Sequence, residues 1–227
     1  MAGRYRKELK YVINEAVYLR IERLLSQVMQ PDENCSDGSY MVRSQYFDSL
    51  MDSDLQDNID GVYEKRKIRV RIYSTDSDTA KLEYKCKNGA DGIKYSITLN
   101  KDEVLMMEQG RYDFLLERDE NLAKELYIRL VQGAYSPKTI IEYKRLAYVY
   151  PVSDVRITFD RNLRGTVNPY GIYEKEPMYY PLLAPDKGVL EIKYNDFFPA
   201  ELKELLVNLK DTPEAFSKYS ISRLSYL

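Results

Sequence analysis

The chain has 227 residues, 44% hydrophobic and 31% charged, which is enough apolar material for a packed core and a length suited to one domain over 1–227. Its 34 Lys and Arg against 36 Asp and Glu leave a net charge of −2, which excludes a heavily basic nucleic-acid binder. The absence of histidine excludes Ser-His-Asp and Cys-His catalysis, His-ligated zinc and histidine proton shuttles.

In chain order, Arg4–Ile13 reads as a strand and Glu15–Gln30 as a helix, with Val17, Ile21, Leu24, Leu25 and Val28 at helical spacing and Pro31 as its stop. Tyr40–Phe47 is a strand and Val62–Tyr73 a long strand or bent pair. Thr79–Lys87 and Ile93–Leu99 form a hairpin around the glycine-bearing loop Asn88-Gly89-Ala90-Asp91-Gly92. Glu103–Gln109 and Glu120–Gln132 read as helices, the second stopped by Gly133. Lys138–Tyr150 and Val155–Asn162 are strands, 163–186 is irregular, and Val189–Tyr194 is the last strand. A helix opens at Pro199 with the stripe Leu202, Leu205, Leu206 and Leu209, and a short one covers Pro213–Tyr219. About eight antiparallel-looking strands and five helices make an α+β fold on one large sheet or barrel.

Residues i and i+2 of a strand share a face. Leu9, Tyr11 and Ile13 oppose Arg4, Arg6, Glu8 and Lys10; Ile68, Val70 and Ile72 oppose Arg69 and Arg71. Leu82, Tyr84 and Cys86 oppose Lys81, Glu83, Lys85 and Lys87; Val155, Ile157 and Phe159 oppose Arg156, Thr158 and Asp160; Leu190, Ile192 and Tyr194 oppose Glu191 and Lys193. For one strand, an ordinary solvated face is a sufficient account. For the set, the amphipathic helices need apolar surface to cover, and the apolar strand faces supply it. If helices clothe the outside, the ionic faces point inward, and an eight-stranded barrel has room for one small ligand. Buried Arg and Lys then require acids or an anion, naturally a triphosphate or polyphosphate, for which the Arg fork is suited.

These segments also resemble a known family. Lys7-Glu-Leu-Lys-Tyr11, Tyr46-Phe47-Asp48, Ile68-Arg-Val-Arg-Ile-Tyr73, Leu82-Glu-Tyr-Lys85, Tyr143-Lys-Arg145, Val155-Arg-Ile-Thr-Phe-Asp160, Val189-Leu-Glu-Ile-Lys193 and Phe216-Ser-Lys-Tyr219 occur in the order seen in the catalytic domain of the vacuolar transporter chaperone (VTC) complex and its bacterial relatives. The resemblance implies an eight-stranded antiparallel tunnel wrapped by helices, within the triphosphate tunnel metalloenzymes. It implies transfer of the γ-phosphate of ATP to a growing polyphosphate chain, with Mn²⁺ or Mg²⁺. Residue by residue, it implies that Lys10, Arg69, Arg71, Lys85, Arg145, Arg156 and Lys218 grip phosphates and act in transfer, and that Glu191 holds the metal. Lys94 and Lys193 join them as substrate-binding candidates; for Lys94 a place on the hairpin surface is an equal alternative.

Some residues depart from the pattern. Arg6 stands where the wider superfamily opens with a glutamate, which moves the reading from triphosphatases toward the VTC branch. Ala215 stands where fungal members have a second lysine before Phe216-Ser217-Lys218. Other residues have plainer readings: Glu8 and Glu83 as salt-bridge partners before second metal carboxylates, Lys65-Arg66-Lys67 as a solvated run entering its strand before an entry funnel for nucleotide, Asp48 as a turn cap before a metal ligand, Cys35 and Cys86 as reduced thiols. No apolar run spans a membrane and no secretory h-region is visible, so a cytoplasmic, stand-alone enzyme is expected. The alternatives are a triphosphate or nucleoside-triphosphate hydrolase of the same fold, and a non-catalytic polyanion-binding module.

Overall fold

The structure, a computed structural model, describes residues 7–35, 38–89, 91–195, 197–207, 209 and 213–225. The chain runs through β1 (Lys7–Asn14), α1 (Glu15–Leu25), β2 (Gln30–Pro31), β3 (Tyr40–Asp48), α2 (Ser53–Ile59), β4 (Glu64–Ile72), β5 (Thr79–Asn88) and β6 (Asp91–Asn100). It continues through α3 (Lys101–Glu108), α4 (Asn121–Gln132), β7 (Ser136–Val149), β8 (Arg156–Thr166), β9 (Tyr179–Pro181), β10 (Lys187–Tyr194), α5 (Ala200–Leu206) and α6 (Lys218–Leu224). All ten strands belong to one antiparallel sheet, along whose main path the order is β1-β10-β8-β7-β3-β4-β5-β6, with β2 paired to β7 and β9 to β8.

Alternation along the strands decides which way the sheet bends. On one side, Ile68, Val70, Leu82, Tyr84, Ile97 and Leu99 pack against Val104 and Met107 of α3 and Leu126 and Leu130 of α4. On the other, Tyr11, Ile13, Ile157, Phe159, Leu190 and Ile192 pack against Ile21 and Leu25 of α1 and Leu202 and Leu206 of α5. Each such side chain contributes about 1.5–3 kcal/mol when buried, so the helices hold the apolar faces outward and turn the ionic faces in. Local signals support this: Asn14 caps α1 by accepting from Val17 N–H at 3.0 Å, and Asn100 and Glu103 form a capping box at α3.

The α+β tunnel fold is the one expected, but its wall is not a closed barrel. Among the described residues, no ladder joins β1 to β6. One reason lies at β1 itself, where the Lys10 carbonyl accepts from Glu214 N–H at 2.8 Å, so that edge group is taken by the C-terminal segment. Arg4, Arg6 and Ala90 lie outside the described residues.

A third cluster lies inside the curl. Val42, Tyr46, Ile141, Tyr143 and Val189 meet Leu55 of α2 and Phe216 and Tyr219 at the start of α6. The C-terminal helix therefore fills one end of the interior. It begins at Lys218, not at Pro213, with Ser217 as its cap accepting from Ser220 N–H at 3.2 Å. The helix expected from Glu15 to Gln30 stops at Leu25, and α2 was not foreseen.

Candidate functional site

Among the described residues, the interior is organised around four carboxylates, three buried and Glu8 partly so, each ringed by cations. Glu191 on β10 has Lys193 Nζ at 2.9 Å, Lys218 Nζ at 3.1 Å, and Lys10 Nζ and an Arg145 Nη2 each at 3.8 Å. Asp160 on β8 receives Arg145 Nε at 2.6 Å and Nη2 at 2.7 Å, with Lys218 Nζ also at 2.7 Å. Glu83 on β5 receives Arg69 Nε at 2.7 Å and Lys94 Nζ at 2.8 Å, with Arg71 Nη1 at 3.6 Å. Glu8 on β1 receives Lys85 Nζ at 2.7 Å and has Lys193 at 3.6 Å, Lys87 at 3.7 Å and Lys10 at 3.8 Å.

These groups meet because strand register puts them side by side. Lys10 pairs with Glu191, Glu191 with Thr158, and Glu8 with Lys193. On the far wall, Tyr46 pairs with Arg69, Arg69 with Glu83, and Lys67 with Lys85. Lys10 and Lys193 each face both Glu8 and Glu191, which links two clusters.

The electrostatics follow from burial and crowding. Burial pushes the Glu191 carboxyl up, but Lys193, Lys218, Lys10 and Arg145 outweigh it and hold the group well below the usual carboxylate range. Burial likewise opposes ionisation of Glu8, and Lys10, Lys193 and Lys85 overcome it. At Glu83 burial is again outweighed, first by Arg69 and then by Arg71. Lys85 moves the other way: burial lowers its ammonium to about 8, with Lys10 and Lys193 adding to the fall and Glu8 opposing it. Lys218 is lowered by burial but raised more by Asp160 and Glu191, so it stays firmly charged.

All ten candidate residues from the sequence face this interior, though not as one cluster. Lys10, Arg145, Lys193, Lys218 and Glu191 form one group; Arg69, Arg71 and Lys94 gather on Glu83; Lys85 lies on Glu8. Arg156 stands apart, with Asp32 at 3.0 Å and the Tyr40 hydroxyl at 3.2 Å. Lys94 is half-exposed, at the open edge of the sheet. Glu8 and Glu83 are salt-bridge partners, and Asp48 caps α2, accepting from Asp54 and Leu55 N–H at 2.9 Å. Lys67 is the correction: it is no solvated lysine, since its Nζ donates to Ser217 Oγ at 2.9 Å inside the wall. Its i, i+2 spacing with Arg69 and Arg71 was the available signal. Asp160 and Lys87 were also missed as site residues.

The donor set can be tested for a divalent cation. Among the described residues, no group of three or more Asp, Glu, His or Cys gathers as a ready cage. Magnesium, however, is commonly held by one or two carboxylates with substrate phosphates and water supplying the rest. Glu191 offers such a carboxylate, and the buried Thr158 hydroxyl, at the register position beside it, has no hydrogen-bond partner among the described residues. The residues fit a cation that arrives with phosphate oxygens and do not fit one held by protein alone.

A curled antiparallel sheet with a cation-rich interior and a helix inserted at one end defines a triphosphate-tunnel protein. The chain belongs to the VTC domain family, whose sequence model matches residues 5–227. No curated protein sequence matches it. Among solved structures, a candidate adenylate cyclase from Vibrio parahaemolyticus is similar with a TM-score of 0.53 and 12% identity over 99% of both chains. A candidate adenylate cyclase from Bacillus halodurans is similar with a TM-score of 0.50 and 12% identity, over 92% of this chain and 88% of that one. A Pyrococcus horikoshii protein gives a TM-score of 0.50 at 13% identity, over 95% and 98%. At these identities the likeness is one of fold. None of the described helices is long and apolar enough to cross a membrane.

Proposed function

We propose that this protein is an ATP-dependent polyphosphate polymerase, transferring the γ-phosphate of ATP to a growing inorganic polyphosphate chain within the tunnel. The observation that carries this reading is the interior charge: each of the four interior carboxylates is already committed to two or more cations, and the cations outnumber them. Such a surface is built for a polyanion longer than one phosphate, because the cations span β1, β4, β5, β7, β8 and β10. Membership of the VTC domain family supports the same substrate class.

Phosphoryl transfer needs alignment of acceptor and donor and neutralisation of charge on the transferred group. A terminal phosphate acceptor is already ionised, so no general base is required, in keeping with a chain that lacks histidine. Arg69, Arg71 and Arg145 offer bidentate forks to phosphate oxygens; Lys10, Lys85, Lys193 and Lys218 add point charges. Arg156 and Lys94 would bind the outlying phosphates. Glu191, with Thr158 beside it, would hold Mn²⁺ or Mg²⁺, which when bound supplies Lewis-acid polarisation of phosphate oxygens. Incubation with ATP and Mn²⁺, followed by a gel stained for polyphosphate and an assay of free phosphate, tests the proposal. Long chains with little free phosphate are expected; free phosphate alone would make the protein a hydrolase, and neither product would leave a binding module.

A further inference from the structure

Lys67 differs from the other interior cations described above. Each of those has a carboxylate within 4.0 Å, whereas among the described residues Lys67 has none. Lys10 on β1, Arg69 on its own strand, and Lys85 and Lys87 on β5 face it, and all are cations. Glu8, the acid on that side, is taken by Lys85 at 2.7 Å and Lys87 at 3.7 Å. Burial first, and then those four cations, hold the Lys67 ammonium well below the usual lysine range.

The hydroxyl that Lys67 bonds adds a second observation. Ser217 Oγ accepts from Lys67 Nζ at 2.9 Å, from Ser220 Oγ at 3.0 Å and from Ser220 N–H at 3.2 Å. A hydroxyl also has one proton to donate. Among the described residues no acceptor for that proton is found beside Ser217. An uncompensated ammonium and an unspent hydroxyl proton thus meet where β4 reaches the start of α6.

We infer that Lys67 is a further phosphate-binding residue of the tunnel, acting with the Ser217 hydroxyl on one phosphate group; this rests on the polyanion reading above. A phosphate placed there supplies the missing counter-charge to Lys67 and an acceptor for Ser217. It also favours the charged ammonium, so binding takes up a proton at Lys67 in the pH range where the empty tunnel keeps part of it neutral.

The test is calorimetric titration with inorganic triphosphate at a series of pH values, in two buffers of different ionisation enthalpy at each, for wild type, Lys67→Met and Lys67→Arg. Wild type should bind with proton uptake. Lys67→Met should melt no lower than wild type without ligand, bind about tenfold or more weakly, and take up fewer protons. Lys67→Arg, charged at any pH, should recover most of the affinity while still taking up fewer protons. Lys67→Met with wild-type affinity and wild-type proton uptake overturns the inference while the polyanion reading stands. Wild type that does not bind triphosphate overturns both. If Lys67→Met fails to fold, Lys67→Arg decides, because unchanged proton uptake in that variant contradicts the role.

Discussion

Lys85 Nζ lies 2.7 Å from Glu8 Oε2, and this pair spans β5 and β1, two strands that no backbone ladder joins among the described residues. Side-chain charge pointing into the interior therefore ties β1 to the β4-β5-β6 end of the sheet. Lys87 at 3.7 Å reinforces the same crossing.

Glu8→Gln tests that crossing. It takes the carboxylate from Lys85 and Lys87, while Lys10 and Lys193 keep Glu191, and the unliganded protein should lose about 1–3 kcal/mol, less than a fully buried pair would cost because Lys85 keeps some solvent. Triphosphate should then raise the melting temperature of the variant more than that of wild type. Melting curves with and without triphosphate decide it, and equal unliganded stabilities would show that the pair does not hold the seam.

Arg71→Ala separates function from fold. Arg71 donates to Ser44 Oγ at 3.1 Å and stands 3.6 Å from Glu83, which keeps Arg69 and Lys94 when it is gone. Loss of one charge-assisted phosphate contact of about 1.5–3 kcal/mol, and more in the transition state, should abolish polymerisation in a protein that melts near wild type. A variant that unfolds yet polymerises normally in its folded fraction would contradict this.

Asp54 predicts a pH dependence unrelated to catalysis. Its carboxyl is raised to about 7 by burial and then by Asp48, with the Tyr135 hydroxyl donating to it at 3.1 Å. The folded protein thus holds a proton that the unfolded chain releases near 3.8, so stability falls as pH rises from that value to about 7. Every tenfold difference in proton affinity between the folded and unfolded chain is worth about 1.36 kcal/mol, which makes the loss a few kcal/mol at most. Asp54→Asn should flatten that slope and be the more stable protein near pH 8 in urea denaturation; parallel pH profiles would refute the assignment.

Glu191→Gln removes the anionic oxygen that hard cations prefer and keeps the shape. Turnover should fall by orders of magnitude at saturating ATP, with part of it restored by extra Mn²⁺. Triphosphate binding without metal should survive or tighten, because Lys193, Lys218 and Lys10 each lose one of two anions and keep only Glu8 or Asp160. Superimposable curves of rate against Mn²⁺ would remove Glu191 from the metal site.

Much of this was written in period-2 alternation. Leu190, Ile192 and Tyr194 against Glu191 and Lys193 state both faces of β10, and the helices decide which face is inside. What alternation cannot state is which distant strands leave a gap, so the open seam was not legible. Nor was α2, a seven-residue helix whose buried residues are Asp54 and Leu55, too short and too polar to show a stripe. The last helix was misplaced because it docks inside the tunnel: its buried residues are Lys218, Tyr219 and Ser222, and no leucine stripe announces it. Lys67 was misread because three adjacent charges look solvated, although alternation with Arg69 puts it on the inner face.

Polymerisation in the tunnel is best tested by mixing the protein with ATP labelled at the γ-phosphate, a short unlabelled polyphosphate primer and Mn²⁺, and following where the label goes. Label should appear in chains longer than the primer, with one ADP released per phosphate added, and no such product should form with Arg71→Ala. Label recovered only as free phosphate, or retained wholly in ATP, would contradict it.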